Sequence, residues 1–348
     1  MLWFFAHLHR HGRALPADAA RAERGFAMLT GRLLDRANGG FFWEVAARSY
    51  APTLPDKQLY GQTFALYALS EHALATRSPA AIAAASAAFR VIDARFRDAA
   101  AGNYREFLLR DWSAPPPGRV DYLAGLNGAR THNTRIHLLE ALTTYHEVAR
   151  TGLVARRLAE VVALTEAALV RAPVYYFRTS DGAAPTRQNY GHDIETISLL
   201  LRARARLGLC GDPPAFYRRV VDDALRLGED PRLGGMFTSG VIGAAVYDRK
   251  KRDWVQAETL LTLCELYRLD RQPKRKLAFL RQLDWIGRWQ VDWANGSWHG
   301  LIDPSGQPVG KKADTWNGPY HTGRAVLGCL RVLDGIAAGV GKGGCTPI

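Results

Sequence analysis

The chain has 348 residues, 47% of them apolar and 23% charged, with a formal net charge of +13. Such a composition supports one large barrel or two ordinary domains, and no stretch approaches the roughly 20 apolar residues that a membrane span needs. The one dense basic run, Arg249-Lys250-Lys251-Arg252, comes without an RNP, zinc-finger or helix-turn-helix signature, so nucleic acid is excluded as the partner and the charge reads as a solvated, arginine-rich surface.

Helical periodicity dominates from the first residues onward. The start, Met1 to His7, is apolar but short and without a charged leading segment, so it reads as a helix and not as a signal peptide. About eleven helices follow one another at roughly 2–11, 17–34, 57–76, 79–97, 133–150, 154–171, 191–207, 213–227, 253–269, 273–289 and 318–336. Their connections repeat. Gly39-Gly40-Phe41, Gly102-Asn103-Tyr104, Gly234-Gly235-Met236 and Gly296-Ser297-Trp298 are four copies of one turn, and Tyr175 to Gly182 stands where a fifth belongs. Gly39 and Gly102 are 63 residues apart, and Gly234 and Gly296 are 62 apart. A repeat of this length marks stacked supersecondary units, here one α-hairpin each. Chemistry-bearing residues fall at the starts of alternate helices, which predicts an all-α fold: an (α/α) barrel with an inner ring opening onto a pit and an outer ring around it. Division of the length by the period gives about five and a half hairpins where six commonly close such a barrel. The missing half is expected at the front, because Met1 lies inside an apolar helix that has no N-cap. A single catalytic domain over 1–337 and a loose glycine-rich tail over 338–348 complete the expected organisation.

In chain order the candidate site residues begin with Tyr60, whose phenol can donate to a substrate oxygen. Asn133 is expected to cap a helix, with His137 one turn along the same face and Glu140 at i+3 from it. Tyr190-Gly191-His192-Asp193-Ile194-Glu195 opens an apolar helix with a histidine and a glutamate at i, i+3. That spacing lets the carboxylate hold the imidazole in one tautomer, as a proton-transfer base requires. Trp254 and Trp316, at two further helix starts, are suited to stacking on a sugar ring. His321 follows Pro319, a good first-turn residue, and opens the last helix. Two histidines at two helix mouths point to chemistry that moves a proton between the faces of a substrate. Cys210, Cys264, Cys329 and Cys345 lack CxxC spacing and read as reduced thiols without a metal. No GxGxxG, P-loop, HExxH or GxSxG motif is present, which leaves redox, phosphoryl-transfer and serine-hydrolase chemistry without support.

These motifs together resemble the N-acylglucosamine 2-epimerase superfamily, most closely its cellobiose 2-epimerase branch, with mannose 2-epimerases and mannose isomerases nearby. The resemblance rests on Asn38-Gly39-Gly40-Phe41, Lys57 to Gln62, Phe107 to Trp112, Asn133-Thr134 with His137 to Ala141, Tyr190 to Glu195, Trp254 to Glu258, and Trp316 with Pro319-Tyr320-His321. It implies an (α/α)6 barrel and a cofactor-free sugar epimerase or isomerase. His192 and His321 become the acid/base pair, Glu195 supports His192, and His137, Asn133, Tyr60, Trp254 and Trp316 contact the sugar. The expected reaction inverts C2 of a cellobiose- or mannose/glucose-type aldose through an enediolate. Aldose–ketose isomerisation and N-acylglucosamine epimerisation stand as alternatives, and a glycoside hydrolase using Glu140, Glu195 or Glu258, or an impaired remnant, stands behind them. Two departures are visible. Arg135 replaces the first histidine of the family's Asn-Thr-His-Leu-His, and the family's arginine before its Leu-Trp-Thr-Phe-like helix would fall immediately before Met1. The expectation is therefore a barrel incomplete by about one N-terminal outer helix. The expected partner is a small-molecule sugar, with no metal, in a cytoplasmic monomer or homodimer.

Overall fold

The computed structural model describes residues 1–123, 130–171, 187–209, 211–241 and 246–339. Eleven α-helices and a set of strands of two or three residues make up the described chain. It falls into two compact units, one of residues 1–165 and one holding residues 166–171 and 187–339 of those described.

In the first unit α1 (Leu2–Arg10), α4 (Pro79–Val91) and α5 (His132–Val148) pack against α3 (Leu59–Thr76), and α2 (Asp18–Met28) packs on α1. Leu66 and Leu69 are fully buried, and α3 also buries Gln62, Ser70, Glu71 and His72 on its other sides. A helix buried all round shows no single apolar stripe. The outer α4 instead buries only Ala81, Ala85, Ala88 and Phe89, at helical spacing on one face. α6 (Gly152–Arg171) carries the chain towards the second unit. There α9 (Asp253–Asp270) is the helix buried all round, packed by α7 (Tyr190–Arg206), α10 (Pro273–Trp285) and α11 (Pro319–Ala337), while α8 (Ala215–Gly228) packs on α7 and keeps one apolar face. α11 leaves Val326, Leu330 and Leu333 between 37 and 42% exposed, an apolar stripe along one side.

The repeated turn has a physical cause. α2, α4 and α10 each run on into one π-helical turn, at Leu29–Leu33, Ile92–Phe96 and Ile286–Gln290, and an aspartate follows. Asp35, Asp230 and Asp292 each fold their Oδ1 back onto two backbone N–H groups, two and three residues on, which is how Asp favours turns. Gly39 and Gly40 (φ +78° and +65°) and Gly234 and Gly235 (φ +72° for both) then take the left-handed conformation. A buried lysine locks each of two copies to the start of the next helix. Lys57 reaches Asp35 at 2.9 Å, and Lys251 reaches Asp230 at 2.8 Å. Gln62 binds the backbone N and O of Phe41, and Gln256 binds those of Met236, one copy in each unit.

Three boundaries differ from those expected. Lys57-Gln58 pair with Phe107-Leu108 as a two-stranded ladder, so α3 starts at Leu59. Thr131, not Asn133, caps α5: its hydroxyl accepts from Thr134 N at 3.2 Å and is itself buttressed by Glu106, which leaves Asn133 inside the first turn. The first two residues of the expected tail, Ala338 and Gly339, close α11; the remainder of it lies outside the described residues, as do Cys210, Cys345 and the fifth turn at 175–182.

Candidate active site

Three helix starts of the second unit converge. α7 begins where the strand Arg187–Asn189, paired with Ser239–Val241, ends. Asn189 caps it by accepting from His192 N at 3.0 Å, which fixes His192 in the first turn. α9 begins after Lys251-Arg252, a strand paired with Leu301-Ile302. Asp253 accepts from Trp254 N at 2.8 Å and fixes Trp254 in the same way. α11 opens on Pro319 and places His321 in its own first turn. The His192 and Trp254 ring centroids are 4.9 Å apart, and those of Trp254 and His321 are 5.5 Å apart. One indole thus serves both imidazoles. Gly191 permits this approach, since a Cβ there would meet Cη2 of Trp254 at 2.6 Å.

Behind His321 lies a buried ionic group. The Nδ1 of His321 is 2.7 Å from Oε1 of Glu258 and 3.9 Å from Oε1 of Glu195. Arg324, one turn further along α11 and almost wholly buried, donates through Nη2 to Oε2 of Glu258 and, at 3.0 Å, to Oε1 of Glu195. Two buried carboxylates face one guanidinium, so the charges of this group balance only when His321 is protonated. Burial by itself would lower the pKa of His321. The Glu258 hydrogen bond and the charges of Glu195 and Glu258 outweigh it and raise the pKa above its ordinary value. Burial likewise pushes Glu258 up, and Arg324 and His321 overcome that and bring it down, so it stays ionised. As a carboxylate Glu258 can only accept, so the Nδ1–H of His321 donates and Nε2 is the nitrogen left for a substrate. Close by, burial lifts Asp253 to about 6.

Glu195, expected to orient His192, binds Arg324 and lies within ion-pair distance of His321. Glu258 was legible in the Trp254–Glu258 motif and as a carboxylate of the hydrolase alternative, but not as the partner of His321, and Arg324 was not legible at all. The one trace they leave in the sequence is spacing, Trp254 and Glu258 at i, i+4 and His321 and Arg324 at i, i+3. Trp316 is 59% exposed in the loop before α11, where its N–H donates to Asp314.

In the first unit a second cluster gathers at the starts of α3 and α5. The Tyr60 ring meets His137 edge-on at 5.2 Å and Phe64 at 4.9 Å. Nδ1 of His137 is 3.4 Å from Glu140, the i, i+3 pair that the sequence presents. Asn133 is half-buried one turn before His137.

The sequence profile of N-acylglucosamine 2-epimerase (GlcNAc 2-epimerase) matches residues 1–325. The chain belongs to this family. Family relatives agree: the cellobiose 2-epimerase of Bacteroides fragilis is 29% identical over 96% of this chain and 85% of its own length. The D-mannose isomerase of Thermobifida fusca is 26% identical over 90% of this chain and 79% of its own length. Among solved structures, cellobiose 2-epimerase from Spirochaeta thermophila superposes with a TM-score of 0.86 at 28% identity, over 97% of this chain and 85% of that one. The fold class is thereby the (α/α)6 barrel that the resemblance implies.

Proposed function

We propose that the chain is a cofactor-independent carbohydrate 2-epimerase that inverts C2 of an aldose by proton transfer between His192 and His321. The observation that carries this is the pair of imidazoles at 4.9 and 5.5 Å from one shared tryptophan ring. A proton at C2 is acidic only when C1 is an open-chain carbonyl. One histidine removes that proton and leaves an enediolate, and the other returns a proton to the opposite face. Delivery to C1 instead gives the ketose. Both histidines must alternate between acid and base because the reaction runs in both directions. Glu258 is a positioning residue for His321: it sets the tautomer and favours the imidazolium, which can donate to the enediolate oxygen. Arg324 pairs with Glu195 and keeps Glu258 ionised. Trp254 stacks on the sugar, with Trp316 a further contact. Tyr60, Asn133 and His137 are proposed as sugar contacts.

Cellobiose and mannose/glucose are the substrates to try first, given the names of the relatives. We read one catalytic domain over 1–337 acting in the cytoplasm; no helix among the described residues is long and apolar enough to cross a membrane. Incubation with each sugar in heavy water tests the reading. Deuterium is expected at C2, and His192→Asn and His321→Asn should each lower exchange at least about 100-fold, the usual scale of general acid–base catalysis. Absence of exchange from a folded wild-type chain would overturn it. Product analysis separates mannose-type epimer from ketose.

A further inference from the structure

At the far end of α3 from Tyr60, a second set of titratable side chains lies outside the chemistry described above. His7 lies in the last turns of α1 and His11 is the residue that caps its C-terminus, four positions on, with the two rings in contact. Glu71 of α3 meets them: its Oε1 is 2.8 Å from Nδ1 of His7. The two imidazole centroids are 4.4 Å apart, and one donor atom from each of the three residues lies within 4.8 Å of the others. His7 and Glu71 are buried and His11 is half-buried, with the Trp3 ring stacked on His7 at 4.8 Å.

We propose that His7, His11 and Glu71 form a binding site for a divalent transition-metal ion of the zinc class, which pins α1 to α3. Two neutral imidazoles and one carboxylate are a donor set that zinc accepts, with a water in the fourth position. Tetrahedral coordination at 2.0–2.1 Å puts donors about 3.3 Å apart. The His7–Glu71 edge is already shorter than that, and the longest edge needs about 1.5 Å of closure, within reach of a rotation of the half-buried His11 ring. Arg10 is the competing cation. Its Nη1 lies 3.2 Å from Glu71, but its Nη2 lies 2.5 Å from Glu147. A metal ion displaces Arg10 from the first carboxylate and leaves it on the second. No cysteine takes part, so the reading of the thiols is untouched. The site owes nothing to the proposed epimerase chemistry.

The test is titration of the full chain with Zn²⁺ against a chromophoric chelator, with Co²⁺ as a spectroscopic probe. One equivalent is expected to bind tightly, and Tm should rise with the logarithm of free Zn²⁺. His11→Ala should weaken binding at least tenfold and abolish the Tm response while its metal-free Tm stays near that of the wild type. The other cluster of ligand-type side chains, Glu195, Glu258 and His321, is controlled by His321→Ala, which should bind as the wild type does. Co²⁺ absorption of a four-coordinate histidine site should appear in wild type and His321→Ala. A wild-type chain with no bound equivalent and no Tm response overturns the proposal. So does retention of wild-type affinity in His11→Ala, or loss of binding in His321→Ala. Should His11→Ala fail to fold, His11→Gln takes its place with the same expected and overturning outcomes.

Discussion

Glu258→Gln isolates what the buried ionic group contributes to His321. Glutamine keeps the shape and an acceptor for the Nδ1–H, while Arg324 retains its 3.0 Å bond to Glu195. What changes is charge: one carboxylate now faces the guanidinium, and a protonated His321 leaves the group with an excess positive charge. A hydrogen bond to a charged partner is worth about 1.5–3 kcal/mol against about 0.5–1.5 for a neutral one, so the imidazolium loses about 1–1.5 kcal/mol, or about one pKa unit. The sign follows from the direction of the shift. A raised His321 pKa keeps the proton on as pH rises past the ordinary value of 6.5 and loses it at the raised value. Without the Glu258 charge the proton leaves earlier. The assay is the pH dependence of kcat/KM for deuterium exchange at C2, from pH 5 to 9. The alkaline limb should move down by about one unit, and exchange at pH 8 should fall about tenfold. The acid limb should stay in place. A variant with wild-type Tm and an unmoved alkaline limb would refute the argument that Glu258 holds the proton on His321.

Gly191→Ala drives a methyl group into Trp254; overpacking of this kind costs about 1–3 kcal/mol, and we expect a lower Tm with a fall in kcat of about tenfold or more as Trp254 leaves the two imidazoles, read by thermal melting and exchange kinetics. Lys251→Met strands the buried Asp230 carboxylate and should cost about 3–5 kcal/mol in denaturant unfolding, whereas Lys251→Met with Asp230→Asn should recover most of it; equal loss in single and double variants would show that the pair is not what holds this turn. Asp35 is pushed up by burial but held well below the usual carboxylate range by the hydrogen bonds of Arg110 and Lys57, and Asp230 is lowered in the same way by Lys251. A depressed carboxylate stabilises above its unfolded pKa, so stability should decline as pH falls below about 4, with Asp35→Asn flattening that decline in an acid titration followed by circular dichroism.

The helices were legible because their signals are local: apolar spacing, Pro319 at a first turn, and the recurring glycines, which take the left-handed conformation at Gly39, Gly102, Gly234 and Gly296. The 63-residue recurrence carried the fold class for the same reason, each copy repeating a short-range solution. His192, Trp254 and His321 stood out as helix-start residues, and their meeting around one ring follows from the barrel class once the helices alternate. The partners of His321 needed tertiary structure. Periodicity says which face of a helix a side chain occupies, not which neighbour that face meets. Spacing sets Glu195 beside His192, at i, i+3, but could not show that its carboxylate also binds Arg324, 129 positions away, where a buried guanidinium must be paired. Thr131 displaced Asn133 as the cap of α5 because Glu106, distant in sequence, holds its hydroxyl. Pairings of this kind depend on which charges share a dry interior, and that is decided by packing across helices.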